Sequence, residues 1–349
     1  MSASFGFIVH PLTGFQRRVF GVRALDWSLA TGQSNPYSTP VRIAQNTLKT
    51  NQCDLNGTLV SLPGLPEELL GDQGRTLSQL IEAAKLCASH GARIIGLGGV
   101  AAMVGGQGKA LAREIDLPVT SGNHLTAETA LQSTLRVLNL IPPKLWQVSI
   151  LGLPSPVGIL LVKTLVQYGV QIELVAKSIP KPLQKVLDGL INEWGASIQV
   201  VNEVESVSSP ILIAASSTGA GILSSRIPPR TVVIDVAAPA DITEDQPRKD
   251  VLVIDGEYLS PPQGLKGDIW QSVYTLLTHQ PTALLACFVE PMLIALSQRE
   301  DLCGVGRTLC PDKSRQLGQL ATQYGFLVDG FYRRGRRIQP EDISACIGL

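Results

Sequence analysis

One cysteine in an apolar run is the residue best suited to covalent chemistry in this sequence. It lies in "PTALLACFVEPMLIALSQRE", residues 281–300. Cys287 reads in two ways. Free cysteine is among the most buried residue types and fills cores. A thiol held in a dry pocket also attacks carbonyl carbon. Pro281 and Thr282 are good helix-start residues, so a helix is expected from there. Cys287 would then lie in its second turn, beyond much help from the helix dipole. Glu290, three residues on, shares that helix face. A carboxylate beside a thiol disfavours the thiolate. Glu290 is therefore expected to position the site or pair with a cation rather than to activate. Pro291 inside the helix predicts a kink. Leu284, Phe288, Val289 and Met292 are expected to line an apolar slot.

A polar turn, Thr120–Ser121–Gly122–Asn123, lies between two apolar elements. Ser, Thr and Asn cap helices. They also donate to a substrate carbonyl oxygen or to a cofactor. Both roles are open, and Ser121 and Asn123 are the catalytic candidates. His124 is a candidate proton donor near neutral pH. His10, His90 and His279 read as structural. Cys87 falls on the apolar face of a helix and reads as core. Cys303 and Cys310 flank a glycine-rich turn and read as incidental. No cysteine pair forms CxxC and the histidines are far apart, so no zinc site is expected. The same scatter argues against a disulfide framework and for a reducing compartment.

The third set of candidates would hold a dinucleotide. "GLPSPVG", residues 152–158, follows an apolar strand and opens a helix. Glycines in such a turn let the backbone approach a pyrophosphate at a helix N-terminus. Gly152 and Gly158 are present, Ser155 replaces the middle glycine, and Val157 lies in the first helical turn. A serine hydroxyl can bond a phosphate, whereas each neighbouring proline removes an N–H donor. NAD-binding chains place an acid at the end of the next strand. Here Lys177 and Ser178 stand there, which suits a 2′-phosphate and favours NADPH. Ala215 and Ser216, in "AASSTGAG", end a later strand on the same edge and would face the nicotinamide.

Alternating elements must position these groups. From Lys144 onward short apolar strands alternate with amphipathic helices. The strands are "LWQVSILGL", "VQIELVAKS", "ASIQVVNE", "PILIAASS", "RTVVIDVAAP" and "VLVIDGEY". That pattern predicts a doubly wound, Rossmann-type parallel sheet. Upstream, residues 1–70 read as irregular apart from a short strand at "SFGFIVHPL" and a strand, a turn and a short helix start in "TLVSLPGLPEELLG". An amphipathic helix follows in "RTLSQLIEAAKLCASHG", then a strand into a glycine-rich turn at "ARIIGLGGVAAMVGG". Pro142–Pro143 breaks the next helix. The expected organisation is an α/β substrate domain over 1–142, an NADP-binding Rossmann domain over 143–278, and a helical segment over 279–349. That last segment would carry Cys287 and pack back on the first domain.

Hydrophobic residues make up 44% of the chain and charged residues 17%. That suffices for large cores and argues against disorder. Zero formal net charge gives no field that favours nucleic acid. Four arginines in "FYRRGRRIQ" read as a solvated surface or a docking patch for an acidic carrier protein. The longest apolar stretches fall short of the roughly 20 residues that span a bilayer. With no signal-peptide pattern at the N-terminus, a soluble cytoplasmic protein is expected, with peripheral membrane contact left open.

Four segments occur in the order seen in a known family. They are "FGFIVHPLT", "GLGGVAAMV", "VTSGNHLTA" and "ACFVEPML". In them the chain resembles the cyanobacterial long-chain acyl-acyl carrier protein reductases over nearly its whole length. The resemblance implies that Cys287 takes an acyl group from an acyl carrier protein or CoA thioester. It also implies that NADPH reduces the acyl-enzyme to a fatty aldehyde. Two positions depart from the family's pattern: Ser155 replaces a glycine, and His124 directly follows Asn123, leaving Leu125 where the family has histidine. Two alternatives stay open, a non-catalytic NAD(P)-binding paralogue and a shikimate-dehydrogenase-like enzyme. The latter wants a lysine–aspartate pair, which "TSGNH" lacks.

Overall fold

Phe5 and Phe7 point to one face of the first strand and Gly6 to the other, as the two-residue period of a strand requires. In the computed structural model, which describes residues 3–20, 39–49, 54–216, 219, 221–237, 239–262 and 283–349, each face is covered by one helix. The chain divides into two compact units. Unit 1 comprises Met1–Leu125, Leu259–Leu309 and Arg315–Leu327, and unit 2 comprises Thr126–Tyr258, Cys310–Ser314 and Val328–Leu349. Pro281, Thr282, His279 and Cys53 lie outside the described residues.

Unit 1 is built on a five-stranded sheet. Its strands are β1 (Ala3–Val9), β2 (Val41–Lys49), β3 (Asp54–Ser61), β4 (Ile95–Leu97) and β5 (Val119–Thr120), in the order β2-β3-β1-β4-β5. All neighbours are parallel except β2 and β3. The described part of residues 1–70, where two short strands were expected, supplies three, the added one being the edge strand β2. Helix α1 (Gln73–Ser89) covers one face. Its Cys87 is fully buried against Gly6, where a Cβ would come within 2.6 Å of the Cys87 Cβ. Burial pushes that thiol up to about 12, so it is inert core, as its helical spacing predicts.

Helix α5 (Ala286–Ser297) covers the other face of the same sheet. Phe288 meets Phe5 and Phe7 edge-on, with centroids 5.8 and 5.0 Å apart. Pro291 packs where Gly96 leaves room, since a Cβ there would lie 2.6 Å from the proline ring. Phe288, Val289 and Met292 are all buried. They fill the core of unit 1 and do not line a slot.

Unit 2 is a six-stranded sheet, β6 (Gln147–Leu151), β7 (Gln171–Val175), β8 (Ile198–Val201), β9 (Ile211–Ala214), β11 (Thr231–Asp235) and β13 (Val251–Asp255). Every pairing is parallel, in the order β13-β11-β9-β6-β7-β8. Numbered within the sheet this is 3-2-1-4-5-6, the doubly wound order of dinucleotide-binding domains. Two further short strands, β10 (Ile222–Leu223) and β12 (Ile242–Thr243), pair apart from it. Helices α3 (Pro156–Leu165) and α4 (Lys181–Trp194) follow β6 and β7. Ile211, Leu212, Ile213, Val232, Val233 and Ile234 are fully buried. A parallel strand covered on both faces reads as an unbroken apolar run for this reason. Among the described residues no helix is long and apolar enough to cross a membrane.

Candidate active site

Helix α5 begins at Ala286, with Leu285 as its N-cap. Leu284 and Leu285 are extended in a short strand, so the helix starts after them. Cys287 therefore lies in the first turn, not the second. There it stands among the backbone N–H groups that a helix start leaves without intrahelical partners. The thiol is partly exposed, unlike Cys87. Pro291, four residues on, has no N–H to donate to the Cys287 carbonyl.

The turn between β5 and helix α2 (Asn123–Leu138) lies directly on this cysteine. Gly122 has φ +76°, and a Cβ on it would stand 2.4 Å from the Cys287 Cβ and 2.5 Å from its Cα. Only glycine permits that approach. Glu290, fully buried, ties the turn to α5. Its carboxylate accepts from the Thr120 hydroxyl, from the Leu125 N–H at 2.7 Å, and from the backbone of Gly122 and His124. It thus caps the start of α2 from another helix. Burial pushes the Glu290 carboxyl up to about 7, against hydrogen bonds that pull it down. Glu290 is a positioning residue; its oxygens are committed to the turn.

Ser121 is committed as well. Its N–H and hydroxyl both donate to the Gly304 carbonyl, at 2.9 and 3.1 Å. The His124 ring is buried against Gly304, where a Cβ would come within 2.2 Å of it. Asn123 differs: it is partly exposed, and its amide makes no hydrogen bond among the described residues. Of the four catalytic candidates, Asn123 presents an unspent amide and Cys287 a partly exposed thiol, while Ser121 and Glu290 hold the backbone that carries them. His10 is structural: its Nε2 accepts from the Val100 N–H at 3.0 Å, and burial lowers its pKa.

In unit 2 the candidates meet at the carboxyl ends of β6 and β9, where the strand order reverses. Gly152 has φ +99°, and a Cβ there would lie 2.4 Å from the Ser216 nitrogen. Ser155 is the N-cap of α3. Its hydroxyl accepts from the Gly158 N–H at 3.1 Å and donates to the Ala215 carbonyl at 2.7 Å. Ser216 gives its N–H and hydroxyl to Asp241. Gly152, Ser155, Gly158, Ala215 and Ser216 are thus brought together, but the two serines bond protein rather than standing open to a phosphate. Pro156 offers no N–H, so Val157 carries the first-turn donor that the loop itself does not use. Lys177 and Ser178 are exposed at the end of β7, beside β6. Lys177 and Ser178 are the groups at this edge that could hold the ribose end of a dinucleotide, while both loop serines are taken up by protein.

Ser155→Ala should therefore act on stability first. It removes a cap worth about 1 kcal/mol. It also leaves the Ala215 carbonyl unsatisfied, about 1–2 kcal/mol more. A urea midpoint corresponding to a loss of about 2–3 kcal/mol is the expected outcome.

The arginine-rich segment is a hairpin, Phe331–Arg333 with Arg336–Ile338. Arg333 turns inward, bonding Asp255 at 2.9 Å and Glu244 at 2.7 Å, with Asp235 at 3.7 Å. Burial pushes the Asp235 carboxyl up to about 6. Arg333 is thus spent inside unit 2, while Arg334, Arg336 and Arg337 remain exposed. Sequence reasoning passed over Gly304, whose backbone holds Thr120 and Ser121.

No family model matches the chain. A curated relative, the aminotransferase PigE of a Serratia species, is 28% identical over 358 residues, 97% of this chain and 41% of that protein. The chain thus spans about two-fifths of the length of this relative. Among solved structures, 5-ketofructose reductase of a Gluconobacter strain gives a TM-score of 0.41 at 13% identity, covering 93% of this chain and 99% of that one. L-tryptophan dehydrogenase of Nostoc punctiforme gives 0.36 at 13%, covering 91% and 88%. Shikimate 5-dehydrogenase of Listeria monocytogenes gives 0.34 at 12%, covering 84% and 96%. The fold assignment rests on the strand order itself. The resemblance to acyl-acyl carrier protein reductases is overturned: the curated relative matched across nearly the whole chain is an aminotransferase, not a member of that family.

Proposed function

We propose that this chain is an NAD(P)-dependent oxidoreductase that holds a small carbonyl substrate on the Cys287 thiol. The observation that carries the reading is the placement of Cys287 in the first turn of α5, pressed on Gly122 beside the unspent Asn123 amide. Cys287 would attack the carbonyl carbon of a thioester, expelling its thiol and leaving an acyl-enzyme to be reduced, or in the reverse direction add to an aldehyde that is then oxidised; Asn123 would donate to the carbonyl oxygen. Glu290 and Ser121 keep the turn rigid. In unit 2, Lys177 and Ser178 would hold the ribose phosphate of NADPH, and Val157 the pyrophosphate. A nicotinamide, when bound, supplies or takes the hydride.

The aminotransferase name of the relative fits this reading. Amine transfer consumes a carbonyl acceptor, and the matched part of that protein is only 41% of its length. A unit that makes an aldehyde would feed the remainder.

Two measurements test the proposal together. NADPH should bind more tightly than NADH, and Lys177→Asp should reduce or reverse the preference. Intact mass after mixing with a short-chain acyl-CoA should show an adduct on the unaltered protein and none on Cys287→Ser. Dinucleotide binding without an adduct would leave a hydride-transfer enzyme that needs no thiol. Binding of neither would favour a paralogue that has lost its chemistry through the claimed Ser155 loop.

A further inference from the structure

Gly105, Gly106, Gln107 and Gly108 have φ of +60°, +72°, +62° and +78°. Four left-handed residues in a row are rare, and three of these are glycine, which takes that backbone freely. Gln107 is the exception and is strained there. Strain of this kind persists where the surrounding structure imposes it, and it clusters at functional sites. The Gln107 side chain is only 8% exposed, yet its amide makes no hydrogen bond among the described residues. Neither amide atom is among the enclosed, unsatisfied ones, so the tip reaches solvent from a buried stem.

The turn is fixed over the end of β4. A Cβ at Gly108 would touch Leu97 at 3.1 Å and Val305 at 3.2 Å. The Gln107 carbonyl accepts from the Gly306 N–H at 2.7 Å. Lys109 is exposed, and its stem lies across Gly306, where a Cβ would stand 2.2 Å from Cε and 3.1 Å from Nζ. Lys109 makes no ion pair among the described residues. Two residues away on the same loop, Gly304 holds Thr120 and Ser121. A four-residue loop therefore ties an unpaired cation and an unspent amide to the turn that carries Asn123 and packs on Cys287.

We propose that Lys109 and Gln107 form an anion subsite that holds a carboxylate or phosphate group of the substrate. The Lys109 ammonium supplies the charge, and the Gln107 carboxamide, two residues back on the same turn, supplies an N–H₂ donor for an oxyanion. Glycine at 306 is what lets the lysine lie against the loop. The inference deepens the proposed carbonyl chemistry and rests on that reading for the identity of the bound molecule.

The test uses the whole chain without any reactive substrate. Thermal midpoints are followed against inorganic phosphate and against acetate, with ionic strength held constant by chloride. One of the two anions should stabilise saturably beyond chloride, and which one does so identifies the group. Lys109→Met keeps the apolar stem and removes the charge, and should weaken that binding about tenfold. Gln107→Gly removes the amide in a backbone that glycine adopts readily, and should weaken it severalfold. Lys85→Met, an exposed lysine on α1, should leave it unchanged. The proposal is overturned if neither anion outperforms chloride, or if binding survives both substitutions. Cys287 adduct formation is scored separately. Anion binding without an adduct would keep the subsite and discard the thiol chemistry.

Discussion

Replacing Glu290 with alanine should cost the fold about 4 kcal/mol or more, since each buried donor left without an acceptor costs about 1–3 kcal/mol. Four donors converge on that carboxylate. The pH dependence is the sharper signature. In the unfolded chain Glu290 loses its proton near 4.5, and in the fold near 7. Between those values the folded protein holds a proton that the unfolded chain has released. Stability is thus fully present below 4.5 and falls as pH rises through 7. At 1.36 kcal/mol per unit, the loss is about 3 kcal/mol. Glu290→Gln removes the titration and keeps the shape. Urea unfolding at pH 5 and pH 8 should show the unaltered protein losing about 3 kcal/mol more than the glutamine variant. An equal loss in both would mean that Glu290 does not titrate in this range.

Gly122→Ala should be nearly as damaging, by a different route. Its φ of +76° makes any side chain strained, about 1–2 kcal/mol. The added carbon would also stand 2.4 Å from the Cys287 Cβ and 3.0 Å from its carbonyl oxygen. Overpacking of that kind costs about 1–3 kcal/mol more. The turn must then move off α5, so acyl adduct formation at Cys287 should fall along with stability. Gly189→Ala is the matched control. That glycine lies inside α4 with nothing within 4 Å and should gain about 0.5–1 kcal/mol on becoming alanine. If Gly122→Ala behaves like the control, the close approach at Cys287 does not constrain the site.

Much of unit 2 is legible in the sequence, because strands buried on both faces leave unbroken apolar runs such as "ILIA" and "TVVID". Unit 1 hides more. Its β2, "VRIAQNTLK", pairs antiparallel at the sheet edge with a register shift between Arg42 and Ala44, and its polar residues read as loop. The two-residue β5 is too short to signal itself. The start of α5 was misplaced because Pro281 and Thr282 are local signals, whereas the short strand at Leu284–Leu285 is set by tertiary pairing. At the site, sequence identified Cys287, Glu290 and the turn, but not that Glu290 holds the turn. That contact joins residues 165 apart. The use of Ser155 as a cap rather than a phosphate ligand is likewise a matter of where Ala215 ends up.

The split make-up of unit 1 has a consequence for how the chain is born. Its sheet is complete once residue 120 has been made, but the helix that covers one face begins only at Ala286. At about 5–20 residues per second, synthesis leaves an interval of about 8–30 s between them. Throughout that interval Phe5, Phe7 and the bare backbone of Gly96 have no Phe288 or Pro291 to meet. The six strands of the unit 2 sheet are translated in the meantime, while its last segment, Val328–Leu349, is still to come. The sheet beside the thiol is therefore made early and covered late. On the ribosome it is an apolar surface waiting for its lid, the kind of surface that holding chaperones recognise.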